Sequence, residues 1–397
     1  MNKLLLFLEE LATCALCGVV LAAAVSAQQP HPAINSPEVH SDGRVTFRLL
    51  DPNAQKVTVS LEGLKDPLVM QKDEQGVWSV TTEVLAPDLY GYSFDADGTH
   101  FLDPSNTDIK PNLMGLSDVV HVPGATPLPW EAADVPHGMI HHHFYKSSVV
   151  GDNRDFYVYT PPGYDPAANI RYPVLYLLHG YSDDASAWTA VGKANFILDS
   201  LIAQNKIKPM IVVMPLGYGA PEIVHPTPGV SPFGNAALRD RNFNYFRTAL
   251  IDEVIPAVDR TYKTDPGRDA RAIAGLSMGG SESLLTGLNR PDKFSWVGAF
   301  STGGLSDDLA ADFPQLSETA NSQYHLIWIA CGTEDRLIAT NRKIVAWTKQ
   351  KGVRVTQIET PGMHTWMVWR RNLIAFAPLL FQNDAHTIRP AIISGQN

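Results

Sequence analysis

The chain has 397 residues, of which 45% are hydrophobic and 18% are charged, so it can bury a sizeable core and its length favours two or three domains. Its formal net charge of −10 argues against nucleic acid as a partner, because surfaces that bind nucleic acid need clustered basic residues.

The first 27 residues have the pattern of an export signal. Lys3 precedes apolar runs, and Val25-Ser-Ala27 is a small-residue cleavage pattern. We therefore expect a signal peptide over residues 1–27, a mature chain that begins at Gln28, and a secreted or periplasmic protein with no membrane segment after cleavage. A membrane anchor is the alternative, although the uninterrupted apolar run is short for a bilayer span. After cleavage only Cys331 remains, which excludes a disulfide framework and favours a buried thiol.

Residues 28–122 have the pattern of an all-β module. Short alternating segments are divided by turn-forming pairs such as Asp42-Gly43 and Asp97-Gly98, which predicts a small antiparallel sandwich. The predicted strands include Arg44–Leu50, Lys56–Leu61 and Val77–Thr82.

The aromatic residues of this module allow two interpretations. Their order resembles the immunoglobulin-like modules of carbohydrate-binding module family 48, which precede starch- and glycogen-acting enzymes. The resemblance is carried by Gly76-Val-Trp78, Pro87, Tyr90-Gly-Tyr92-Ser-Phe94, Asp97-Gly98 and Asp103-Pro-Ser-Asn106. Under this resemblance Trp78, Tyr90 and Tyr92 are either a platform on which sugars stack or aromatic residues of the sandwich core.

Residues 123–137 are rich in proline and lack periodicity, which predicts a semi-rigid linker. Three consecutive histidines, His141 to His143, follow it. Because adjacent side chains on a strand point to opposite faces, these rings cannot converge on one ion. We expect neither a metal nor another cofactor.

Residues 138–385 alternate between strand and helix patterns, which predicts one α/β domain with a largely parallel sheet covered on both faces; residues 386–397 are a tail. Residues 217–242 lack clear periodicity, and we predict a loop over the site there. The predicted strands are Phe156–Thr160, Val174–Leu178, Met210–Met214, Ala272–Ala274, Trp296–Phe300, Leu326–Cys331 and Val353–Ile358. The predicted helices are Ala194–Ala203, Phe243–Tyr262, Gly280–Leu285, Arg342–Lys349 and Trp366–Phe381.

One stretch of this domain carries a nucleophile pattern. Gly275-Leu-Ser277-Met-Gly279 fits the G-x-S-x-G elbow, in which a serine stands on a strained turn between a strand and a helix. The residues two before and two after the serine approach each other, so both must lack a side chain. The turn directs the Met278 amide at the place where an oxyanion would form.

Further candidates follow other predicted strands, whose carboxyl ends are the usual place for catalytic groups in α/β sheets. Gly180 comes directly after a buried strand, so the Tyr181 amide is the natural second oxyanion donor. Glu334 and Asp335 follow a later strand, and either carboxylate can orient a base. His364 follows the last strand and fits the general base, because the chain order in α/β hydrolases is serine, acid, histidine. His179 precedes the serine, and we interpret it as a structural residue.

These motifs together resemble the esterase-D and feruloyl-esterase group of α/β hydrolases, carbohydrate esterase family 1; enterochelin esterases and mycolyltransferases are more distant relatives. The similarity covers residues 138–381 and is carried by Tyr172–Gly180, Lys206–Pro215, Gly275–Gly280 and Gly362–Trp369. It implies an α/β-hydrolase domain with Ser277, Asp335 and His364 as the catalytic triad and the amides of Met278 and Tyr181 as the oxyanion hole.

The resemblance implies a secreted serine carboxylesterase that hydrolyses acyl esters on a plant cell-wall polysaccharide of the arabinoxylan type. We expect feruloyl esters because the loops near Ser277 are rich in aromatic residues, with Trp188, Tyr218 and Trp366 as candidate substrate contacts. Acetylxylan and siderophore esters are alternative substrates, and a non-catalytic carbohydrate-binding protein is the alternative from another class. Since every candidate catalytic residue lies beyond Gly138, we expect the sandwich to assist polysaccharide binding and to take no part in the chemistry.

Overall fold

The computed structural model describes residues 34–225 and 232–382. The predicted signal peptide, the predicted tail and residues 226–231 of the predicted loop lie outside the described residues. No helix within the described ranges is both long enough and apolar enough to cross a membrane.

The first part of the chain forms two antiparallel sheets. Their strands are β1 Glu38–Val39, β2 Val45–Leu50, β3 Val57–Leu61, β4 Leu68–Val69, β5 Gln71–Lys72, β6 Val77–Thr81, β7 Asp88–Ala96, β8 Thr99–Phe101, β9 Ile109–Lys110 and β10 Ser117–Val122. One sheet has the order β1-β2-β6-β5, and the other has the order β4-β3-β7-β10-β9 with β8 paired to β7. Alternate residues of both sheets, such as Phe47 and Phe94, meet in one core, so these strands form a β-sandwich.

Trp78, Tyr90 and Tyr92 belong to that core and are at most 6% exposed. Each polar atom has an internal partner: Trp78 Nε1 donates to the Asp51 carbonyl, Tyr90 Oη to the Ala86 carbonyl, and Tyr92 Oη to Asp103. Rings that are buried on both sides cannot stack on a sugar. The core interpretation therefore holds, and the three residues form no platform.

The proline-rich segment 123–137 contains neither helix nor strand, but it packs against the second domain. Trp130 is buried in the core of the second domain, and the guanidinium groups of Arg370 and Arg371 lie 5.4 and 5.9 Å from its ring centroid. The segment thus packs along the second domain as it leaves the sandwich.

The second domain is an eight-stranded sheet with the order β11-β12-β14-β13-β15-β16-β17-β18. Strands β13 to β18 are parallel to one another, while β11 and β12 are antiparallel additions at one edge. The strands are β11 Met139–Lys146, β12 Asn153–Thr160, β13 Val174–Leu178, β14 Ile211–Pro215, β15 Arg271–Leu276, β16 Trp296–Phe300, β17 Leu326–Gly332 and β18 Thr356–Thr360.

Helices cover both faces of this sheet. They are α1 Ala187–Ala190, α2 Ala194–Ala203, α3 Ala236–Ala249, α4 Ile255–Thr261, α5 Met278–Gly287, α6 Leu309–Asp312, α7 Ala320–Gln323, α8 Ile338–Gln350 and α9 Trp366–Phe376, with 3₁₀ turns at Pro221–Val224, Pro232–Gly234, Arg268–Ala270 and Ala377–Leu379. Along β13, Leu175 and Leu177 face the core under α2 and α9, whereas Tyr176 and Leu178 face the core under α3, α5 and α8. The continuous apolar strand therefore serves two cores.

The predicted helix over Phe243–Tyr262 is longer and less regular than expected. It begins at Ala236, where the Asn235 side chain caps it by accepting from the Leu238 amide, and a π-helical turn over Leu250–Val254 joins α3 to α4. Pro256 explains the irregular turn, because proline has no amide to donate to the preceding turn and its ring crowds the carbonyl there. Part of the predicted 217–242 loop is thus helical.

Candidate active site

Ser277 stands at the carboxyl end of β15, immediately before α5. Its backbone has φ 53° and ψ −113°, a conformation that residues with a Cβ rarely adopt. Its amide donates to the Phe300 carbonyl, and its own carbonyl accepts from the amides of Gly280 and Gly303. The neighbouring strand and helix thus hold the strained turn in place.

The two glycines of the motif are required by close packing. A Cβ on Gly275 would lie 2.5 Å from the Gly279 carbonyl oxygen, and a Cβ on Gly279 would collide with the carbonyl oxygen of His179. The elbow therefore needs glycine at both positions, as its spacing predicts.

Ser277, His364 and Asp335 form a hydrogen-bonded chain. His364 Nε2 lies 3.0 Å from Ser277 Oγ, and His364 Nδ1 lies 2.8 Å from Asp335 Oδ2. Asp335 follows β17 and His364 follows β18, so the carboxyl edge of the sheet brings together residues that are far apart in the chain. An imidazole between a hydroxyl and a carboxylate can take the hydroxyl proton while the carboxylate orients the ring.

The structure separates the two carboxylates that the sequence leaves as alternatives. The Asp335 side chain is inaccessible to solvent, and its Oδ1 accepts from the Leu337 amide. Burial opposes its ionisation, but the hydrogen bond and charge of His364 and the Leu337 amide outweigh burial and hold the pKa of Asp335 below its usual value. Glu334 is exposed and contacts Thr333. Asp335 is thus the carboxylate that meets His364.

Met278 and Tyr181, the candidate oxyanion donors, belong to segments that lie beside Ser277. Met278 is the first residue of α5, where amides have no partner within the helix. Tyr181 belongs to the loop after β13, defined here as the oxyanion loop, residues 179–184. A Cβ on Gly180 would be only 3.3 Å from the Ser277 Cβ, so this loop lies directly against Ser277.

His179 connects the oxyanion loop to the loop that follows β14. Its Nε2 accepts from the Gly217 amide at 2.8 Å, which leaves the proton on Nδ1 to be donated to the Gly180 carbonyl. Burial lowers the pKa of His179 to about 4, so the ring is neutral and structural, as interpreted from the sequence. Tyr218 is 2% exposed and its hydroxyl donates to the Asp183 carbonyl. The prediction that Tyr218 contacts substrate is therefore wrong, because its ring packs behind the loop.

Trp188 and Trp366 are also not positioned to contact substrate. Each is 1% exposed, and their rings pack edge to face at 5.1 Å behind the oxyanion loop. Trp188 Nε1 donates to the Leu178 carbonyl. Tyr181 of the oxyanion loop and Phe233 remain half-buried, and their rings form an edge-to-face pair at 5.2 Å.

The β-sandwich contacts both loops of this site, which sequence reasoning missed. Glu62 Oε1 accepts from the Trp366 amide, two residues beyond His364. On the other side, Asn112 Nδ2 donates to Ser182 Oγ, and the Leu113 amide donates to the Ser182 carbonyl. The sequence shows polar residues between the strands of the sandwich, but it does not say what they contact.

A cavity of about 370 Å³ lies between the sandwich and His364. The residues on its wall from the sandwich are largely polar: Ser60, Glu62, Lys65, Asp66, Ser93, Lys110 and Ser117, with Leu61, Leu64, Pro67, Gly91 and Tyr92 beside them. The remaining wall is His364 and Thr365. The sandwich is therefore adjacent to the imidazole.

The histidine run and the cysteine have separate structural partners. His141, His142 and His143 lie on β11 and contact Thr160, Asp155 and the Tyr262 hydroxyl, respectively. Within residues 34–225 and 232–382, no three His, Cys, Asp or Glu side chains are grouped as a metal site would require. Burial raises the pKa of the Cys331 thiol to about 12, which keeps it protonated.

Comparison with known proteins places these features in a family. Residues 147–380 match the Esterase family. A Xylanibacter ruminicola endo-1,4-β-xylanase/feruloyl esterase is 32% identical over 357 residues, which cover 88% of this chain and 46% of that protein. An acetyl esterase of Caldicellulosiruptor saccharolyticus is 22% identical over 231 residues, covering 50% of this chain and 79% of that one. The chain thus spans less than half the length of the Xylanibacter relative.

Solved structures of esterases have the same fold. A ferulic acid esterase from Anaeromyces mucronatus is 25% identical, with a TM-score of 0.53 over 63% of this chain and 93% of that one. Enterochelin esterase from Shigella flexneri is 19% identical, with a TM-score of 0.65 over 90% of this chain and 98% of that one. The match over residues 147–380 covers more than half of the chain, and the chain accordingly belongs to the Esterase family, with an esterase domain of the α/β-hydrolase type.

Proposed function

We propose that this chain is a serine carboxylesterase in which Ser277, His364 and Asp335 form the catalytic triad. The observation that carries the proposal is the hydrogen-bonded chain from Ser277 Oγ to His364 at 3.0 Å and from His364 to Asp335 at 2.8 Å. The strained backbone at Ser277, the close approach of Gly180 to it and membership of the Esterase family support the same assignment.

In the proposed reaction, Ser277 Oγ attacks the ester carbonyl carbon while His364 Nε2 takes its proton. The carbonyl oxygen becomes an oxyanion, which the amides of Met278 and Tyr181 stabilise. The intermediate collapses when His364 donates that proton to the departing alcohol, and an acyl-enzyme remains. Water then attacks the acyl carbon while His364 takes its proton; the bond from that carbon to Ser277 Oγ breaks as His364 returns the proton to Oγ, and the acid is released. Asp335 keeps the imidazole in the tautomer that has its proton on Nδ1.

We propose feruloyl esters of an arabinoxylan-type polysaccharide as substrate. On the acyl side, the half-buried Tyr181–Phe233 pair offers ring surface for a flat aromatic acid. On the alcohol side, the departing oxygen must lie near His364, and the cavity there has the polar wall of the sandwich. Hydroxyl-rich alcohols such as sugars suit that wall. The Xylanibacter relative, named as a xylanase and feruloyl esterase, supports this choice.

We further propose that residues 1–27 are a signal peptide and that the enzyme acts outside the cytoplasm. Polymeric cell-wall substrates cannot enter a cell, so an enzyme for them has to be exported. N-terminal sequencing of the mature protein from its native host tests this, with Gln28 as the expected first residue.

Kinetics on matched esters test the substrate proposal. We expect kcat/KM for methyl ferulate to exceed that for acetylated xylan by about tenfold or more. Ser277→Ala should abolish hydrolysis of both, because loss of the nucleophile in such triads costs several orders of magnitude in turnover. Higher kcat/KM on acetylated xylan would make the chain an acetylxylan esterase. Activity of Ser277→Ala near wild type would reject the triad.

A catecholate siderophore ester is the second candidate substrate. The observation that favours it is the fold similarity to enterochelin esterase from Shigella flexneri, which covers 90% of this chain and so includes the β-sandwich. Hydrolysis of enterobactin at a kcat/KM above that for methyl ferulate would replace the feruloyl assignment.

A further inference from the structure

Glu62 connects the β-sandwich to the loop that carries His364. It follows β3, and its side chain is only 11% exposed. One carboxylate oxygen accepts from the Trp366 amide at 3.0 Å, and the other accepts from the Gly91 amide at 2.9 Å. Lys110 Nζ lies 3.9 Å from the second oxygen. A single carboxylate therefore joins a strand of the sandwich to the first residue of α9.

Helix α9 needs this acceptor. The first amides of a helix have no partner within it, and a side chain at the preceding position usually accepts from them. Here Thr365 occupies that position but makes no side-chain cap hydrogen bond. Glu62 contributes the missing acceptor from another domain, and its negative charge is favourable beside the positive end of the helix dipole.

The position of α9 is coupled to that of His364. Only Thr365 separates His364 from the helix, and the Thr365 amide donates to the Met363 carbonyl in a tight turn. The imidazole also packs edge to face on Trp369, in the first turn of α9, at 4.9 Å. A shift of the helix start would therefore move the ring relative to Ser277.

We propose that Glu62 is a positioning residue, which keeps His364 within hydrogen-bond distance of Ser277 by fixing the start of α9. This inference rests on the proposed function, because His364 has a catalytic position to keep only if the triad operates. Displacement of a catalytic group by about 1 Å can cost 10²-fold in rate. The β-sandwich would then be part of the catalytic machinery even for substrates too small to touch it.

The test uses the full-length protein with 4-nitrophenyl acetate, which is too small to bridge the cavity. We expect Glu62→Ala to lower kcat by about tenfold or more while KM stays within about twofold, because geometry at the base affects the chemical step more than binding. Glu62→Gln should recover most of the lost kcat, since its amide oxygen can still accept from the Trp366 amide.

Glu253 provides a matched control. Its carboxylate also ties down a loop, accepting from the amides of Ser148 and Val149, but it does so at the edge of the sheet formed by β11. Glu253→Ala should lower the urea midpoint of unfolding and leave kcat unchanged. Equal losses of kcat in Glu253→Ala and Glu62→Ala would show a general effect of destabilisation and overturn the inference.

The remaining outcomes of the experiment also decide whether Glu62 positions His364. Wild-type kcat in Glu62→Ala, or a loss confined to KM, would overturn the positioning role. If Glu62→Ala does not fold, Glu62→Asp replaces it: aspartate keeps the charge but reaches less far, so we expect it to be slow while Glu62→Gln stays fast, and the reverse order overturns the inference. If wild type hydrolyses no ester and Ser277 is not labelled by a fluorophosphonate, the proposed function itself fails.

Discussion

Ser277 and His364 lie 3.0 Å apart, yet different parts of the molecule hold them. Ser277 is fixed by its own helix and the neighbouring strand β16: the backbone bonds to Gly280, Phe300 and Gly303 and the glycine contacts all lie within the esterase domain. The loop of His364, residues 361–365, leads into α9, whose first amide is bonded by Glu62 of the β-sandwich. The turn of Ser277 is thus encoded by a local motif, whereas the segment that follows His364 is held by contacts with a neighbouring domain.

Helix α9 has a second attachment to the sandwich that reinforces this difference. Asp88 is inaccessible to solvent, and its two oxygens each lie 2.7 Å from a guanidinium nitrogen, one of Arg370 and one of Arg371. Arg370 also donates to the carbonyls of Leu89 and Val191. The first two turns of α9, the helix that follows His364, therefore contact the sandwich through hydrogen bonds and ion pairs.

The largest expected effect concerns the partner of the base. Asp335→Asn should lower kcat by about 10⁴-fold, because an amide cannot hold the imidazole in the required tautomer. Glu334→Gln is the matched control and should change kcat little, since Glu334 is exposed. Steady-state kinetics on methyl ferulate decide this, and a larger loss in Glu334→Gln would transfer the role to the neighbouring residue.

The next effect tests whether the sandwich holds α9. Asp88→Ala leaves the buried Arg370 charge without its carboxylate, so we expect the free energy of unfolding to fall by about 3–5 kcal/mol. Hydrogen exchange should become faster at residues 366–371 while α5, behind Ser277, keeps its protection. Urea unfolding and exchange mass spectrometry measure both.

Asp292→Ala is the control for this experiment. It removes an ion pair with Arg290 whose side chains are 56% and 35% exposed, so it should cost less than about 1 kcal/mol. If hydrogen exchange in Asp88→Ala became faster to the same extent at α5 and α9, the sandwich would not hold the His364 side of the site more than the Ser277 side.

The smallest effect probes the other contact of the sandwich, at the oxyanion loop. Burial raises the pKa of Asp183 to about 7, although the Lys110 charge and the Asn112 hydrogen bond oppose the rise. The folded protein thus retains a proton that the unfolded chain has released above about pH 4. Asp183 therefore contributes to the free energy of unfolding at low pH. As the pH rises from about 4 to about 7, this contribution is lost, and the free energy of unfolding falls by up to about 4 kcal/mol.

Asp183→Asn removes this titration. Relative to wild type, the variant should therefore gain stability between pH 5 and pH 8, as measured by urea midpoints at both values. His179, whose low pKa has the opposite effect on stability, is common to both proteins and cancels in the difference. A difference that is independent of pH would show that Asp183 is ionised in the folded state.

Most of the candidate site was predictable from the sequence, because the motifs that carry it are short and local. The elbow of Ser277 needs glycines at fixed distances, and a buried strand followed by glycine predicts the oxyanion loop. The positions of Asp335 and His364 follow from chain order and from the rule that strand ends share one edge. The run of strands and helices from β12 onward was predictable for the same reason, since hydrophobic periodicity is a short-range property.

Tertiary structure alone decided which aromatic side chains are buried and which domain contacts the segment that follows His364. Trp188, Tyr218 and Trp366 follow strands that end at the same edge of the sheet as the strand of Ser277, but their side chains are buried within the protein. Glu62 lies more than 300 residues before His364, and no pattern joins them. Such contacts arise when two separately encoded cores pack together, so their partners depend on the packing and not on local sequence.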